Sequence, residues 1–278
     1  MTATVFIVVL VSALFHAGWN VVVKRTDDPR ATAILVAIVA GVIATAILPL
    51  LSPPAAASLP WLVGSVALQI IYVVLLAATY RVGDMSLVYP LMRGAAPPIV
   101  AVVSVVAFGD HLSPAAWIGI ACVAGGILSA ALATRHAGGG RGTGLALVTA
   151  CVIAGITLLD GRGVRLAGTT LAYTLWEMAL LAVPFLAWAV LRGGAPFRDH
   201  ARRHIVAGLI GGIGTMASYG LALWAMTAAP VAVVAALRET SIIFGLILAR
   251  VVLGETPGFR RLAAAGLVAL GAVVLRLA

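Results

Sequence analysis

The sequence predicts an all-α membrane protein of about ten transmembrane helices, arranged as two inverted five-helix repeats. Three observations carry that reading. Of 278 residues, 63% are hydrophobic and only 10% charged, with a mean hydropathy of +1.15, which leaves too little polar surface to cover a water-soluble domain. Apolar runs of about 20 residues, each able to cross roughly 30 Å of hydrocarbon as a helix, recur from end to end with short breaks. They are apolar nearly all round and lack the period-two alternation of membrane barrel strands. Finally, a shift of 145 positions (238 − 93 = 145) lays Arg93 on Arg238, Gly109 on Gly254, Gly126 on Gly271 and Asp110 beside Glu255. Apolar matches come cheaply in so much alanine and valine, so the arginine, the Gly-acid pair and the glycine carry the repeat. Five spans per half is an odd number, so the second half must enter from the opposite face. The halves are expected at 1–138 and 139–278, within one integrated membrane domain.

In order, the spans are expected near residues 3–23, 31–51, 61–80, 85–108, 114–134, 143–160, 169–191, 204–226, 230–253 and 258–277. Charge and turn formers mark the breaks: Lys24 to Arg30, Ser52-Pro53-Pro54, Arg81 to Asp84, Gly109 to Pro114, Arg135 to Gly142, Gly161 to Gly168, Arg192 to Arg203, Ala228-Ala229-Pro230 and Gly254 to Gly258. The first span lacks a basic stretch ahead of it and carries His16 and Asn20 in its inner half, so it is expected to remain as a helix rather than leave as a signal peptide. In it Ser12, His16, Asn20 and Lys24 recur every four residues on one face, which serves helix–helix hydrogen bonding or a cavity, with Lys24 at the interface. The third span offers Ser65, Gln69, Tyr72 and Thr79 at helical spacing. For Gln69 and Tyr72 an interhelical bond and packing at a kink compete with ligand contact.

The fourth span holds Tyr89, Pro90, Arg93, Pro97 and Pro98 inside an apolar run. Arginine at such depth costs several kcal/mol, roughly 2.5 to 17, so it faces a bundle interior, a carboxylate or a watery cavity. It stands about 8 residues into the span, roughly 12 Å from one end, too deep to reach the interface comfortably. In the second half, Asp160 closes the sixth span near Arg162, where a solvated helix end competes with a functional role. Thr170, Tyr173 and Glu177 share a face of the seventh span, and Tyr219 lies in the eighth. Arg238 and Glu239 are adjacent in the ninth and point about 100° apart, so each is expected to seek another partner.

Several signals are set aside. The net charge of +9 sits mostly in loops and reads as topology, not as a nucleic-acid surface. Cys122 and Cys151 fall inside spans and are expected as free thiols. Gly212-Ile213-Gly214-Thr215-Met216-Ala217 fits a dinucleotide fingerprint by letters, but no strand precedes it, and close helix packing through Gly208 and Gly212 explains it better. His200 and His204 have helical spacing without the glutamate of a zinc protease, so a solvated basic loop is expected there. No cofactor and no metal site is expected.

Ten spans in two five-helix halves, His16-Ala17-Gly18-Trp19-Asn20 in the first helix, Tyr89-Pro90-x-x-Arg93-Gly94-x-x-Pro97 in the fourth and Gly-acid turns after the fourth and ninth resemble the EamA-type drug/metabolite transporters. The resemblance covers the whole chain. It implies movement of small metabolites by alternating access through a cavity between the halves, without nucleotide hydrolysis. Substrate contacts are expected from Arg93, Arg238, His16, Asn20, Gln69, Tyr72, Tyr89 and Tyr219, with an anionic or zwitterionic substrate favoured because guanidinium matches oxyanions. Burial disfavours the charged form of any group, so Glu239, Glu177 and Asp160, rather than His16, are the expected carriers of a coupling proton. The competing readings are a membrane enzyme acting on a lipid-like substrate, which would cluster its polar residues at one interface, and an exporter of a cationic amine. Expected partners are a small-molecule substrate, the lipid bilayer, a coupling proton and a second copy in a homodimer, but no nucleic acid. Arginine in place of lysine everywhere but Lys24 fits a GC-rich bacterial genome, hence a bacterial inner membrane. Loops after odd spans hold most basic residues, Lys24, Arg81, Arg135, Arg192 and Arg260 among them, against Arg162, Arg165 and Arg276 on the other side, which puts odd loops in the cytoplasm and both termini outside. The family resemblance implies the opposite orientation.

Overall fold

The structure, a computed structural model, describes residues 1–132, 140–254, 256 and 258–278. Among them there are twelve α-helices and no strand. They are α1 (Ala3–Lys24), α2 (Pro29–Ile47), α3 (Leu59–Val82), α4 (Met85–Phe108), α5 (Pro114–Leu132), α6 (Gly140–Leu166), α7 (Thr170–Trp188), α8 (Gly194–Arg203), α9 (Ile205–Ala228), α10 (Val231–Arg238), α11 (Ser241–Leu253) and α12 (Phe259–Leu277). Among the described residues, eight helical stretches are long and apolar enough to cross a membrane, and Pro114–Ser129 of α5 adds a shorter apolar one. Val106, Val190, Val251 and Leu277 are among many large apolar side chains left more than half exposed. Water would not tolerate that surface, but lipid is its natural solvent. The chain is a multi-pass membrane protein.

Side chains set the helix starts. Asp28, with Pro29 at the first helical position, accepts from the Arg30 and Ala31 N–H groups at 3.0 Å each, and Asp84 accepts from the Ser86 N–H at 2.8 Å. α4 and α11 end alike, on glycines in the left-handed region, Gly109 at φ 69° and Gly254 at φ 70°. Glu255, the acid expected beside the second glycine, lies outside the described residues, as do Arg135 to Gly139 of the fifth break.

Three expectations change. First, the sixth span does not close at Asp160: α6 runs on to Leu166, because Arg165 at its end donates from Nε and Nη2 to the carbonyls of Met226 (2.8 Å) and Ala229 (2.9 Å). That guanidinium serves the acceptors that the end of α9 leaves open. Second, residues 192–203 are not a solvated loop. α7 passes through a π-turn, Ala189–Gly193, into the amphipathic α8, which buries Phe197 and His200 and exposes Arg198, Arg202 and Arg203. Third, the ninth span breaks at Glu239-Thr240. There the backbone tightens to short-range bonds, Glu239 to Ala236 (3.1 Å) and Thr240 to Leu237 (3.0 Å), while the Thr240 hydroxyl also takes the Leu237 carbonyl at 2.7 Å. A threonine that competes for the preceding carbonyl favours such a turn.

Helix packing follows a regular scheme. α3 lies along α6, and α1 along α9; α4 packs on α5 and α6, and α1 on α10 and α11. α2 pairs with α7, α5 pairs with α12, and α10 meets α4 across the middle. Gly208 and Gly212 of α9 back closely onto Leu35, Val39 and Ala40 of α2, the packing role expected of them in place of a nucleotide loop. Loop contacts fall into two sets, as ten crossings require. Asp27, after α1, touches α8, and Gly83, after α3, abuts Gly142 at the start of α6. On the opposite side, Ala55 donates to the Ala167 carbonyl (3.1 Å) and Arg276 to that of Met1 (2.6 Å).

Candidate functional site

The break between α10 and α11 places Glu239 against α4. Both oxygens of its carboxylate take one edge of the Arg93 guanidinium, Nε donating to Oε2 at 3.1 Å and Nη2 to Oε1 at 2.9 Å. Such a two-bond fork fixes direction as well as charge. The side chains are 21% and 8% exposed, so each charge depends on the other. Arg93 therefore neutralises an internal acid, one of the two roles open to it from sequence. His16 on α1, and Tyr72 and Tyr89 on α3 and α4, lie within electrostatic reach of Arg93.

Arg238, one residue before Glu239, takes a different partner. Its guanidinium carbon stands 5.7 Å from the centre of the Tyr219 ring, a cation–π distance. Among the described residues no carboxylate lies within ion-pair distance of it.

The hydroxyl of the same Tyr219 reaches two buried acids. It donates closely to Asp160 Oδ2 on α6 and stands 3.0 Å from Glu177 Oε1 on α7. Asp160 is 2% exposed and also accepts from the Tyr173 hydroxyl at 3.4 Å, so the solvated helix end is excluded. Arg162 points elsewhere, over the ring of Phe108 at 4.7 Å. Glu177 Oε1 further accepts from Ser65 Oγ (3.3 Å) and closely from Gln69 Nε2, which ties α3 to α7. Its other oxygen, Oε2, is buried with no partner. An orphaned buried carboxylate oxygen is a place for a proton or a ligand donor.

Tyr219 thus stands between a cation over its face and an acid pair at its hydroxyl. Of the residues expected here, the fold joins Arg93 to Glu239, Arg238 to Tyr219, and Gln69, Glu177 and Asp160 into one cluster. Asn20 is not drawn in; it is exposed and donates to the His16 carbonyl of its own helix at 2.7 Å. Ser12 takes the packing role, in a reciprocal pair with Ser218: each hydroxyl donates to the other's carbonyl, at 2.7 and 2.9 Å. Sequence reasoning missed Trp19 and Thr215, whose Nε1 and Oγ1 are buried without partners on the α1 and α9 side. Trp19 lies in the motif already quoted, three residues after His16, against which its ring packs at 5.6 Å.

A second polar cluster lies outside the spans. Asp27 Oδ1 is 2.6 Å from His204 Nε2 and 3.6 Å from His200 Nδ1, and its Oδ2 is 3.6 Å from Arg203 Nη2. Desolvation works upward on the Asp27 carboxyl, but the His204 ring with its hydrogen bond and the Arg203 charge outweigh it and hold the group below its ordinary value. His200 is 4% exposed, not solvated as expected. Apart from both clusters, a crevice of about 540 Å³ between α2, α7 and α9 is lined by Ile43, Ile47, Leu175, Met216 and Trp224. Its walls continue the lipid-facing surface and hold none of the charged groups.

Comparison with known proteins adds two findings. The model of the EamA-like transporter family matches residues 141–277. A solved crystal structure superposes with a TM-score of 0.75 at 17% identity, the match covering 100% of this chain and 98% of that one. At that identity the likeness concerns the fold alone. No curated protein matches the sequence.

Proposed function

We propose that the chain, whose residues 141–277 match the EamA-like transporter family, is a membrane transporter of the drug/metabolite transporter superfamily that moves a small zwitterionic metabolite by alternating access between two inverted halves, 1–138 and 139–278. The observation that carries the reading is Tyr219, with Arg238 over its ring and Asp160 and Glu177 at its hydroxyl. A zwitterion needs both signs within a few ångströms. Arg238 supplies a planar fork for its carboxylate, and the acid pair takes its ammonium group. Arg93 is committed to Glu239 and acts as a strut, so the oxyanion role expected of both arginines falls to Arg238.

Helix packing supports the inverted halves. Exchanging the first five spans for the last five turns α3 on α6 into α9 on α1, and α4 on α6 into α10–α11 on α1, while α2 on α7 and α5 on α12 map onto themselves. The central helices α1, α3, α4, α6, α9 and α10–α11 then surround the charged groups, with the two self-paired sets at opposite ends.

Tyr219 has one hydroxyl hydrogen for two carboxyl groups. The cluster closes without oxygen facing bare oxygen when one further proton sits on Asp160 or Glu177, which makes this pair, rather than Glu239, the seat of a coupling proton. A second reading, export of a cationic amine, is favoured by the unpartnered Glu177 Oε2. The test is counterflow in liposomes with labelled amino acids, organic acids and amines, comparing the parent chain with Arg238→Gln. A zwitterion carried by the parent and lost in the variant supports the proposal. Amine transport that persists in Arg238→Gln selects the second reading, and undiminished zwitterion transport in the variant removes the first.

A further inference from the structure

The cluster at the end of the α2 and α7 pair brings together three side chains that metal chemistry uses. His200 lies in the last turn of α8 and His204 caps that helix, its N–H on the His200 carbonyl at 2.9 Å, so the two rings stand side by side with centroids 4.4 Å apart, and Asp27 reaches them from the turn between α1 and α2. Their donor atoms, His200 Nδ1, His204 Nε2 and Asp27 Oδ1, lie within 4.8 Å of one another. Two ligands on a tetrahedral zinc ion stand roughly 3.3 Å apart, given metal–nitrogen and metal–oxygen bonds near 2.0–2.2 Å. The 2.6 Å and 3.6 Å separations already present bracket that value, and the Asp27 side chain is 56% exposed and able to adjust.

The surrounding hydrogen bonds set the tautomer of the buried histidine. Thr26 spends its one hydroxyl hydrogen on the Val23 carbonyl at 2.8 Å. Its contact with Thr32 Oγ1, also 2.8 Å, must then be donated by Thr32. Thr32 has no hydrogen left for His200, so the 2.9 Å contact between Thr32 Oγ1 and His200 Nε2 is donated by the ring. Nε2 carries the proton, and in the neutral ring Nδ1 holds the lone pair, turned toward Asp27 at 3.6 Å, beyond a hydrogen bond. An imidazole that donates its far N–H to a fixed acceptor and offers the near nitrogen is arranged as metal-ligating histidines are.

We propose that Asp27, His200 and His204 form a binding site for one divalent transition-metal ion of the zinc class, with a fourth position open to water. Bound there, the ion fastens α8, from the second half of the chain, to the α1–α2 turn of the first. Arg203, 3.6 Å from the free oxygen of Asp27, opposes the ion's charge and makes the site weaker and more exchangeable than a structural zinc centre. The alternative occupant is no ion at all, with Asp27 held by protonated histidines and Arg203.

The test is calorimetric titration of tag-free purified protein with zinc chloride, paired with cobalt(II), whose visible absorption reports four-coordinate geometry. One equivalent of zinc and a tetrahedral cobalt spectrum are expected for the parent. His204→Gln, at a partly exposed ring, and Asp27→Asn should each abolish the cobalt spectrum without disturbing elution. Thr32→Val, which removes the acceptor behind His200 together with the bond to Thr26, should weaken zinc binding about tenfold. A parent that binds no zinc, or zinc affinity unchanged in both His204→Gln and Asp27→Asn, overturns the proposal.

Discussion

In the proposed inverted repeat, α4 and the α10–α11 pair stand in matching places, and their arginines fall 145 residues apart (238 − 93 = 145), yet the two regions are different objects. α4 contains Pro90, Pro97 and Pro98 and remains one helix from Met85 to Phe108. α10–α11 has no proline in its interior and breaks at Glu239-Thr240. Arg93 is gripped along one edge by both oxygens of a carboxylate, whereas Arg238 lies over a ring. The register explains the divergence. The position in α4 that matches Glu239 is Gly94 (239 − 145 = 94), and a Cβ there would stand 2.9 Å from Leu128 Cγ and 3.3 Å from the Ala124 carbonyl. No second acid fits, so one arginine is paired and the other is left available. On that proposal the repeat matches position, and local packing decides whether the matching charge becomes scaffold or tool.

The sharpest way to break this comparison is Glu239→Gln. It strands Arg93 in a buried setting, and losing one partner of such a pair costs about 3–5 kcal/mol. A large fall in detergent-solubilised melting temperature is expected, with much of it recovered in the double variant Arg93→Gln/Glu239→Gln; a melt equal to the parent's would show that Arg93 is not held this way. Arg238→Gln should do the reverse. Substrate binding should weaken by about 1.5–3 kcal/mol, roughly ten- to hundredfold, while the melt stays near the parent's. Equal loss of stability in both arginine variants would erase the division of roles. Tyr219→Phe keeps the ring under Arg238 and removes the hydroxyl between Asp160 and Glu177. A loss of about 1–3 kcal/mol in stability is expected, together with a changed pH dependence of counterflow, and an unaltered pH profile would move the coupling proton elsewhere. The smallest effect belongs to Thr240→Val. Without the bond to the Leu237 carbonyl the break should tighten toward ordinary helix at a cost near 0.5–1.5 kcal/mol, read as slower amide exchange across residues 238–243.

The spans were legible because apolar runs of membrane length are a local property, and Arg93 was legible because a guanidinium among prolines is out of place in lipid. The partner of Arg93 was not. Glu239 could be seen to need a partner outside its own turn, but a helix apolar all round gives no direction to its neighbours. Asp160 was read as a helix end because Gly161, Arg162 and Gly163 look like a break, and only Arg165, anchored on carbonyls of α9, carries the helix past them. The α8 helix was hidden by charge: Arg198, Arg202 and Arg203 suggest solvent, while Phe197 and His200 on the other face are too few to announce burial. Tyr173 carried a faint signal, four residues ahead of Glu177. Trp19 carried a stronger one, as part of the same motif as His16.

The reciprocal bonds between Ser12 and Ser218 also have a meaning in time. The two residues are 206 positions apart, while Ser65 and Gln69 wait 112 and 108 positions for Glu177, which itself waits 42 for Tyr219. At ribosomal speeds of about 5–20 residues per second, α1 rests in the bilayer roughly 10 to 40 s before its partner emerges. During that interval the hydroxyl of Ser12 and the amide of Gln69 face lipid or an insertion factor instead of protein. The nascent first half is therefore a client for membrane chaperones and proteases, and its survival depends on helices not yet made. Halves 1–138 and 139–278, produced together as separate chains, should protect one another from degradation that removes either alone.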